Sequence, residues 1–325
     1  MKILVTGAGG FVGQRVVRKL IELGTITVDG VEAPVTTVYA CDLFGDAVQG
    51  LADEFDAVEA LAGDLTDPAM VAKIKDIAPD IILHLAAVVS SAAEADFDLG
   101  MKVNVDALRS LIDCCRAQPK PPVLVFTSSI AVFSCEGNAG IDESCTPMPL
   151  SSYGMEKVVG EYLVRDASRK GFVRGRTIRF PTIAVRPGKP NSAASSFASG
   201  IIREPLAGQE AILPVSRSIR LHLGSPDMAV GSVVHAISLK QDVLGDRGAI
   251  TLPGLSVSVE EMIGGLRAIA GDDVAALVKD QPDAKIEAIV ATWPGSITTP
   301  EAEALGFKPD AHFDDLITAY KKAYA

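Results

Sequence analysis

The chain has no spacing that would pair its cysteines and no C-x-x-C or H-E-x-x-H run that would hold a metal. Its five cysteines, at positions 41, 114, 115, 135 and 145, are odd in number. Cys114 and Cys115 are consecutive in a helix-like stretch and point to different faces, so they do not read as a bonded pair. This is the usage of a reduced, cytosolic protein, and the expected localisation is cytoplasmic. The four histidines, at 84, 222, 235 and 312, stand singly, and no metal site is expected. Positive charge is in deficit, with 30 Lys and Arg against 41 Asp and Glu and a net charge of −11. That balance disfavours nucleic acid or an anionic membrane as a partner. No apolar run reaches bilayer-spanning length. The N-terminus enters an apolar strand after a single Lys, with no cleavage-like segment, and reads as lacking a signal peptide.

What the chain does have is alternation. With 48% hydrophobic residues and a mean hydropathy of +0.28, its 325 residues can bury a large core in one big unit or two lobes. Short apolar runs, "KILVT" (2–6), "TTVYACD" (36–42), "DIILHLA" (80–86), "PVLVFTSS" (122–129) and "GRTIRF" (175–180), alternate with helix-like stretches near 12–23, 67–78, 100–117 and 152–169. Apolar strands separated by helices predict a parallel sheet covered on both faces. "GTITVDGVEAP" reads as a loop inserted before the second of these strands. After residue 180 the regularity breaks; a helix at 225–240, a strand-like "GAITLPG", a helix at 258–270, a strand-like "KIEAIVA" and a last amphipathic helix follow. The expected architecture is α/β: a doubly wound Rossmann domain over 1–180 and 225–255, with a smaller, discontinuous substrate lobe over 181–224 and 256–325.

"ILVTGAGGFVGQRVV" places Gly7, Gly10 and Gly13 after a strand and at the opening of a helix. Glycine allows the tight turn and lets the backbone approach a pyrophosphate at the helix N-terminus. The second strand ends in Asp42, where a carboxylate accepts both ribose hydroxyls and repels a 2′-phosphate, favouring NAD over NADP. Arg15 is a counter-signal inside the helix, but Leu43 and Phe44 supply no cation after Asp42. Asp64, in "GDL", is a candidate acceptor for the adenine amino group, or else the cap of the helix starting near 67.

"SSYGMEKVVGE" sets Tyr153 and Lys157 four residues apart on a helix, hence on one face. A neighbouring ammonium lowers a phenol's pKa from about 10 and brings it into range to exchange a proton with an alcohol. "VLVFTSSIAVF" delivers Ser128 and Ser129 at the carboxyl edge of a central strand, where open α/β sheets bind ligands.

Together, "TGAGGFVG", "HLAA", "KVNVD", "TSSIAVF" and "YGMEKVVGE" resemble the extended short-chain dehydrogenase/reductases, the NAD-dependent epimerase/dehydratase group. The resemblance covers essentially the whole chain. It implies Tyr153 as acid/base, Lys157 lowering its pKa and binding the nicotinamide ribose, Ser129 stabilising the substrate oxygen, and Asn104 supporting the loop after the fourth strand. The cofactor surface it implies takes in Gly7, Gly10, Phe11, Val12, Gly13, Asp42, Asp64, Leu65, Ala86, Ala87, Asn104, Tyr153, Lys157, Pro181 and Thr182. It also implies a homodimer through the helices near 100–117 and 152–169.

Dehydratases of the family carry an Asp-Glu pair just after the strand-end Ser/Thr; here those positions are Ile130 and Ala131, so dehydration is not expected. Two reactions remain open. Longer runs, "VVSSAAEADFDLGMKVN", "RFPTIAVRPGKPNSAASSFASGIIREPLAG" and "LPGLSVSVEEM", resemble a subgroup that oxidises a four-carbon sugar acid at C2 with NAD. The alternative is a nucleotide-sugar epimerase retaining its NAD, with Arg203, Arg217 and Arg220 as candidate diphosphate ligands. A small acid needs its carboxylate paired when buried, and Arg186 in "RPGKPNSAASSF" can grip it bidentately, unless it forms an inter-lobe salt bridge. Lys189 reads as a solvated loop charge, and Asn191 as either a substrate ligand or the cap of a helix starting at 191 or 192. Ser90 and Ser91 are candidates to touch substrate or the nicotinamide ribose, and His222 is either structural or turned to substrate.

Overall fold

The five apolar runs and part of "GAITLPG" become strands of one sheet, which Val58–Ala62 completes: β1 (Lys2–Thr6), β2 (Thr37–Asp42), β3 (Val58–Ala62), β4 (Ile81–His84), β5 (Val123–Ser129), β6 (Arg174–Phe180) and β7 (Ile250–Thr251). They stand in the order β7-β6-β5-β4-β1-β2-β3 in the computed structural model, which describes residues 1–188, 194–244 and 248–324. The pairs β1–β2, β1–β4, β2–β3 and β4–β5 are all parallel. The order reverses between β1 and β4, the switch point at which doubly wound sheets take their ligands. Helices α1 (Phe11–Leu23), α2 (Gly45–Glu54), α3 (Pro68–Ile77), α4 (Ala107–Arg116), α5 (Ser152–Arg169) and α6 (Pro226–Ser238) provide the crossovers.

The chain divides into two compact units, the first comprising Met1–Ser129, Ser151–Arg179 and Val230–Ile250. Its core includes Leu4, Ile82, Leu124 and Phe126 of the sheet, Leu108 and Leu111 of α4, and Val164 of α5. β4 is buried along its whole length, as a central strand covered on both faces must be. Local chemistry sets the helix starts. Asp67 accepts from Ala69 N–H and Pro68 stands in the first turn of α3, so Asp67, not Asp64, is the cap. Ser151 accepts from Gly154 N–H at the start of α5. The expected loop before β2 is instead a hairpin, Thr25–Val28 paired antiparallel with Val31–Pro34. Its turn is Asp29 and Gly30, both with left-handed φ, the arrangement a two-residue hairpin turn needs.

The second unit comprises Ile130–Leu150, Phe180–Ala229 and Thr251–Ala325. Residues 130–150, expected in the first domain, belong here because Gly140–Asp142 pairs in parallel with Ser296–Thr298. The strand Arg220–Gly224 pairs with Thr182–Ile183 on one side and Leu255–Ser258 on the other. Ile201, Ile202, Leu213, Leu223, Met262, Leu266 and Ile317 belong to its core. "KIEAIVA" is not a strand but the helix Ala284–Val290, started by Asp283, which accepts from Lys285 and Ile286 N–H. The helix expected from 191 or 192 begins at Ser196. Among the described residues no helix is long and apolar enough to cross a membrane.

One buried ion pair fastens α5 to the sheet. Arg179 of β6 meets Glu161 of α5 through Nε at 2.8 Å and Nη2 at 2.7 Å, and Ser128 of β5 donates to the same carboxylate at 2.6 Å. Both charged side chains are more than nine-tenths buried. Glu161→Leu strands the Arg179 charge and is expected to destabilise the fold by about 3–5 kcal/mol in urea unfolding; a change under ~1 kcal/mol would show that Arg179 finds another partner.

Candidate active site

The turn between β1 and α1 is built from glycines in close backbone contact, and no side chain caps the helix it opens. Gly7 adopts a φ of 70°, and a Cβ there would lie 2.7 Å from Ala86 N, at the end of β4. A Cβ on Gly13 would strike the Gly7 carbonyl. Gly10 precedes α1 without a capping side chain, and the first turn, which holds Phe11, Val12 and Gly13, carries no acid. Its N–H groups and the positive end of the helix dipole therefore remain for a phosphate. Asp42, half-buried at the end of β2, accepts from Gly9 N–H at 2.9 Å and from Phe44 N–H at 3.1 Å. That fixes the carboxylate beside the turn with lone pairs left for a ribose diol. Leu43 and Phe44 beyond it are exposed and apolar, and the Arg15 guanidinium lies over the Phe11 ring.

Asp64 accepts from Thr66 and pairs with Lys102 at 2.8 Å. The Lys102 ammonium, with Thr66, holds its carboxyl down at about 2. Leu65 is buried beside it. Ala86 and Ala87 follow β4, and Asn104 spans the loop beyond them: its Oδ1 accepts from Val88 N–H at 2.9 Å and its Nδ2 donates to Val88 O at 3.2 Å. Ser90 and Ser91 open the short helix Ser90–Ala95 after this loop.

On α5, Tyr153 and Lys157 share a face, with the Lys157 Nζ 5.5 Å from the Tyr153 ring centroid. The Lys157 side chain is fully buried beneath that ring; its Nζ donates to Thr127 O at 2.9 Å and lies 5.0 Å over the Phe126 ring. Burial without a carboxylate contact pulls the ammonium down to about 8. It remains the charged neighbour of the phenol at neutral pH. His84, buried behind it, hydrogen-bonds Thr6 Oγ1 through Nδ1 at 2.7 Å. Burial and the Lys157 charge push it down to about 3, so it stays neutral.

The adjacent serines of β5 take different paths because strand side chains alternate. Ser128 turns into the Glu161–Arg179 pair, leaving Ser129, half-buried at the carboxyl end of the strand, as the candidate for the substrate oxygen. Sequence reasoning missed Glu156, Glu161 and Gly9. The two acids carry a signal that could have been read, since they lie on the same buried stripe of α5 as Lys157, where a surface acid has no place. Glu156 is buried and its carboxyl is raised, chiefly by desolvation.

The other expected ligands belong to the second unit. Pro181 is buried and Thr182 opens the strand Thr182–Ile183. Arg186 is half-buried, with its backbone held at both ends: its N–H donates to Ser199 Oγ at 3.1 Å and its carbonyl accepts from Arg203 Nη1 at 2.9 Å. His222 is buried with Nε2 3.3 Å from Leu252 O, and burial lowers it to about 4. Lys189 and Asn191 lie outside the described residues.

A glycine turn at the switch point, followed by a Tyr–Lys helix with a buried ammonium, is the machinery of a nucleotide-dependent oxidoreductase built on a Rossmann sheet. The chain belongs to the NAD dependent epimerase/dehydratase family, which matches residues 3–237. It is 47% identical over 98% of its length to D-erythronate dehydrogenase of Cupriavidus necator, covering 98% of that protein. It is 39% identical, again over 98% of both chains, to D-erythronate dehydrogenase of Haemophilus influenzae. A crystal structure from Agrobacterium tumefaciens, described as a nucleoside-diphosphate-sugar epimerase, superposes with a TM-score of 0.91 at 40% identity, over 100% of this chain and 94% of that one. The protein is thus an NAD-dependent oxidoreductase of the short-chain dehydrogenase/reductase type, and the uncapped turn and Asp42 fit that cofactor.

Burial of Lys157 carries a cost in stability. Its folded pKa of about 8 lies below the unfolded value of 10.5, so the folded state is penalised wherever both forms are charged, below pH 8. Stability rises with pH between those two values as the folded lysine gives up its proton first. Lys157→Met is expected to abolish turnover yet raise Tm at pH 7 by about 2–5 °C, for a gain of roughly 2 kcal/mol after the lost hydrogen bond. The gain should shrink from pH 8 to 10.5 in thermal melts; a pH-independent gain would mean that packing, not charge, is responsible.

Proposed function

We propose that this enzyme oxidises a small sugar acid, D-erythronate or a close relative, at the C2 hydroxyl. The similarity of nearly the whole chain to two D-erythronate dehydrogenases carries this reading. Bound NAD supplies the hydride acceptor. Tyr153, as phenolate, takes the hydroxyl proton as the C2 hydride leaves, and Ser129 hydrogen-bonds the reacting oxygen. The Lys157 ammonium favours the phenolate, and its two remaining N–H donors serve the nicotinamide ribose. Ala86, Ala87, Asn104, Pro181 and Thr182 are further proposed cofactor ligands, with Asp64 and Leu65 proposed for the adenine. Arg186 is the proposed partner of the substrate carboxylate, with Ser91 and Asn191 as further ligands. The proposed assembly is a homodimer through α4 and α5.

The Agrobacterium tumefaciens structure favours a second reading, epimerisation of a nucleoside-diphosphate sugar. Such a substrate needs cations for its diphosphate, and the three candidates are already occupied within their own unit. Arg203 pairs with Glu204 at 2.6 Å, Arg217 with Glu260 and Asp280, and Arg220 with Glu261 and Ser256. Internal pairing of all three supports the small acid.

NADH absorbance with free four- to six-carbon hydroxy acids tests the proposal. Net NADH from D-erythronate is expected; isomerisation of a UDP-sugar without net NADH would sink the dehydrogenase reading. Tyr153→Phe should lower kcat by at least ~100-fold with NAD still bound, within the usual range for losing a general acid/base. Arg186→Ala should raise KM for the acid by about 10-fold or more while KM for NAD moves less than ~2-fold; equal changes in both would make Arg186 structural.

A further inference from the structure

The helix that carries Tyr153 and Lys157 also carries a carboxylate that the proposed chemistry does not use. Glu156 is completely buried. Its Oε2 accepts from Asn104 Nδ2 at 2.5 Å, while Oε1 has no hydrogen-bond partner. That oxygen rests against the Cα of Gly100, where any Cβ would strike it. A buried, half-satisfied acid is a costly way to fill space, and a residue needed only for packing would be apolar.

Asn104 explains its presence. It stands in a single π-helical turn, Met101–Asp106, a widening found often at functional sites. Both of its Nδ2 hydrogens are used, on Val88 O and Glu156, while Oδ1 takes the Val88 N–H. By accepting from Nδ2, Glu156 reinforces the amide orientation that Val88 requires, with Oδ1 toward its N–H. Val88 connects Ala86 and Ala87, at the glycine turn, to Ser90 and Ser91. A second tie runs parallel, from Ser152 N–H at the start of α5 to Glu94 Oε2 at 2.9 Å.

We infer that Glu156 is a positioning residue which, through Asn104, holds the Val88–Ser91 turn in register with Tyr153 and Lys157. The inference rests on Tyr153 and Lys157 being the catalytic pair, and on the same reaction.

The test uses the full-length enzyme with NAD and D-erythronate. Glu156→Leu should lower kcat/KM for the acid about 10–100-fold, the scale of a small misplacement at a reacting centre, with Kd for NAD within ~3-fold. Glu156→Gln, which keeps an acceptor for Asn104, should recover activity to within about 3-fold of the parent. Hydrogen exchange reads the same contact without turnover: amides of residues 86–95 should exchange faster in Glu156→Leu, and in Gly100→Ala, which displaces the carboxylate without removing it, but not in Glu156→Gln. Unchanged exchange, equal losses in the Leu and Gln variants, or a loss confined to NAD affinity would overturn the inference. Tyr153→Phe separates the two claims, since full turnover in that variant would refute the catalytic pair while leaving the exchange result to judge Glu156.

Discussion

The fold is organised around a buried ammonium. Lys157 carries positive charge into a place where water cannot follow, and three features of the first unit answer that demand. The Thr127 carbonyl at the end of β5 accepts one of its protons, the Phe126 ring offers its face, and Glu156 and Glu161 stand within electrostatic reach on the same helix. None of these is a direct ion pair. A carboxylate in contact would hold the lysine's charge but spend it, whereas a carbonyl and a ring leave the field available to the phenol above. The protein thus keeps a desolvated charge beside the Tyr153 phenol.

The same economy separates charges that build from charges that act. Glu161 and Arg179 pair through two hydrogen bonds, take in Ser128, and fix α5 on the sheet. In the second unit Arg203, Arg217 and Arg220 are likewise consumed by neighbouring acids, and Arg203 reaches back to hold the backbone of Arg186. An acidic chain with few cations places most of its arginines in architecture.

Much of this was legible in the residues. The strand–turn–helix at Gly7–Gly13, the acid ending β2 and the four-residue spacing of Tyr153 and Lys157 are local patterns, and local patterns survive folding. The five apolar runs were legible for the same reason, each a few residues of strand within a buried sheet. What could not be read was decided by distant partners. "KIEAIVA" has strand-like composition, but Asp283 starts a helix there. Residues 130–150 follow the first unit in sequence and pair with Ser296–Thr298, more than 150 positions later. The engagement of Ser128 in a buried ion pair was equally invisible, since it depends on Glu161, 33 positions away on the buried face of a helix.

Glu156 and Gly100 touch so closely that a change at either is felt at the other. A side chain at position 100 must displace the Glu156 carboxylate, and a residue 156 without an acceptor leaves Asn104 Nδ2 with Val88 O alone. Two positions 56 residues apart in sequence thus share one small volume, and on the proposed reading a change in either reaches the Val88–Ser91 turn through Asn104.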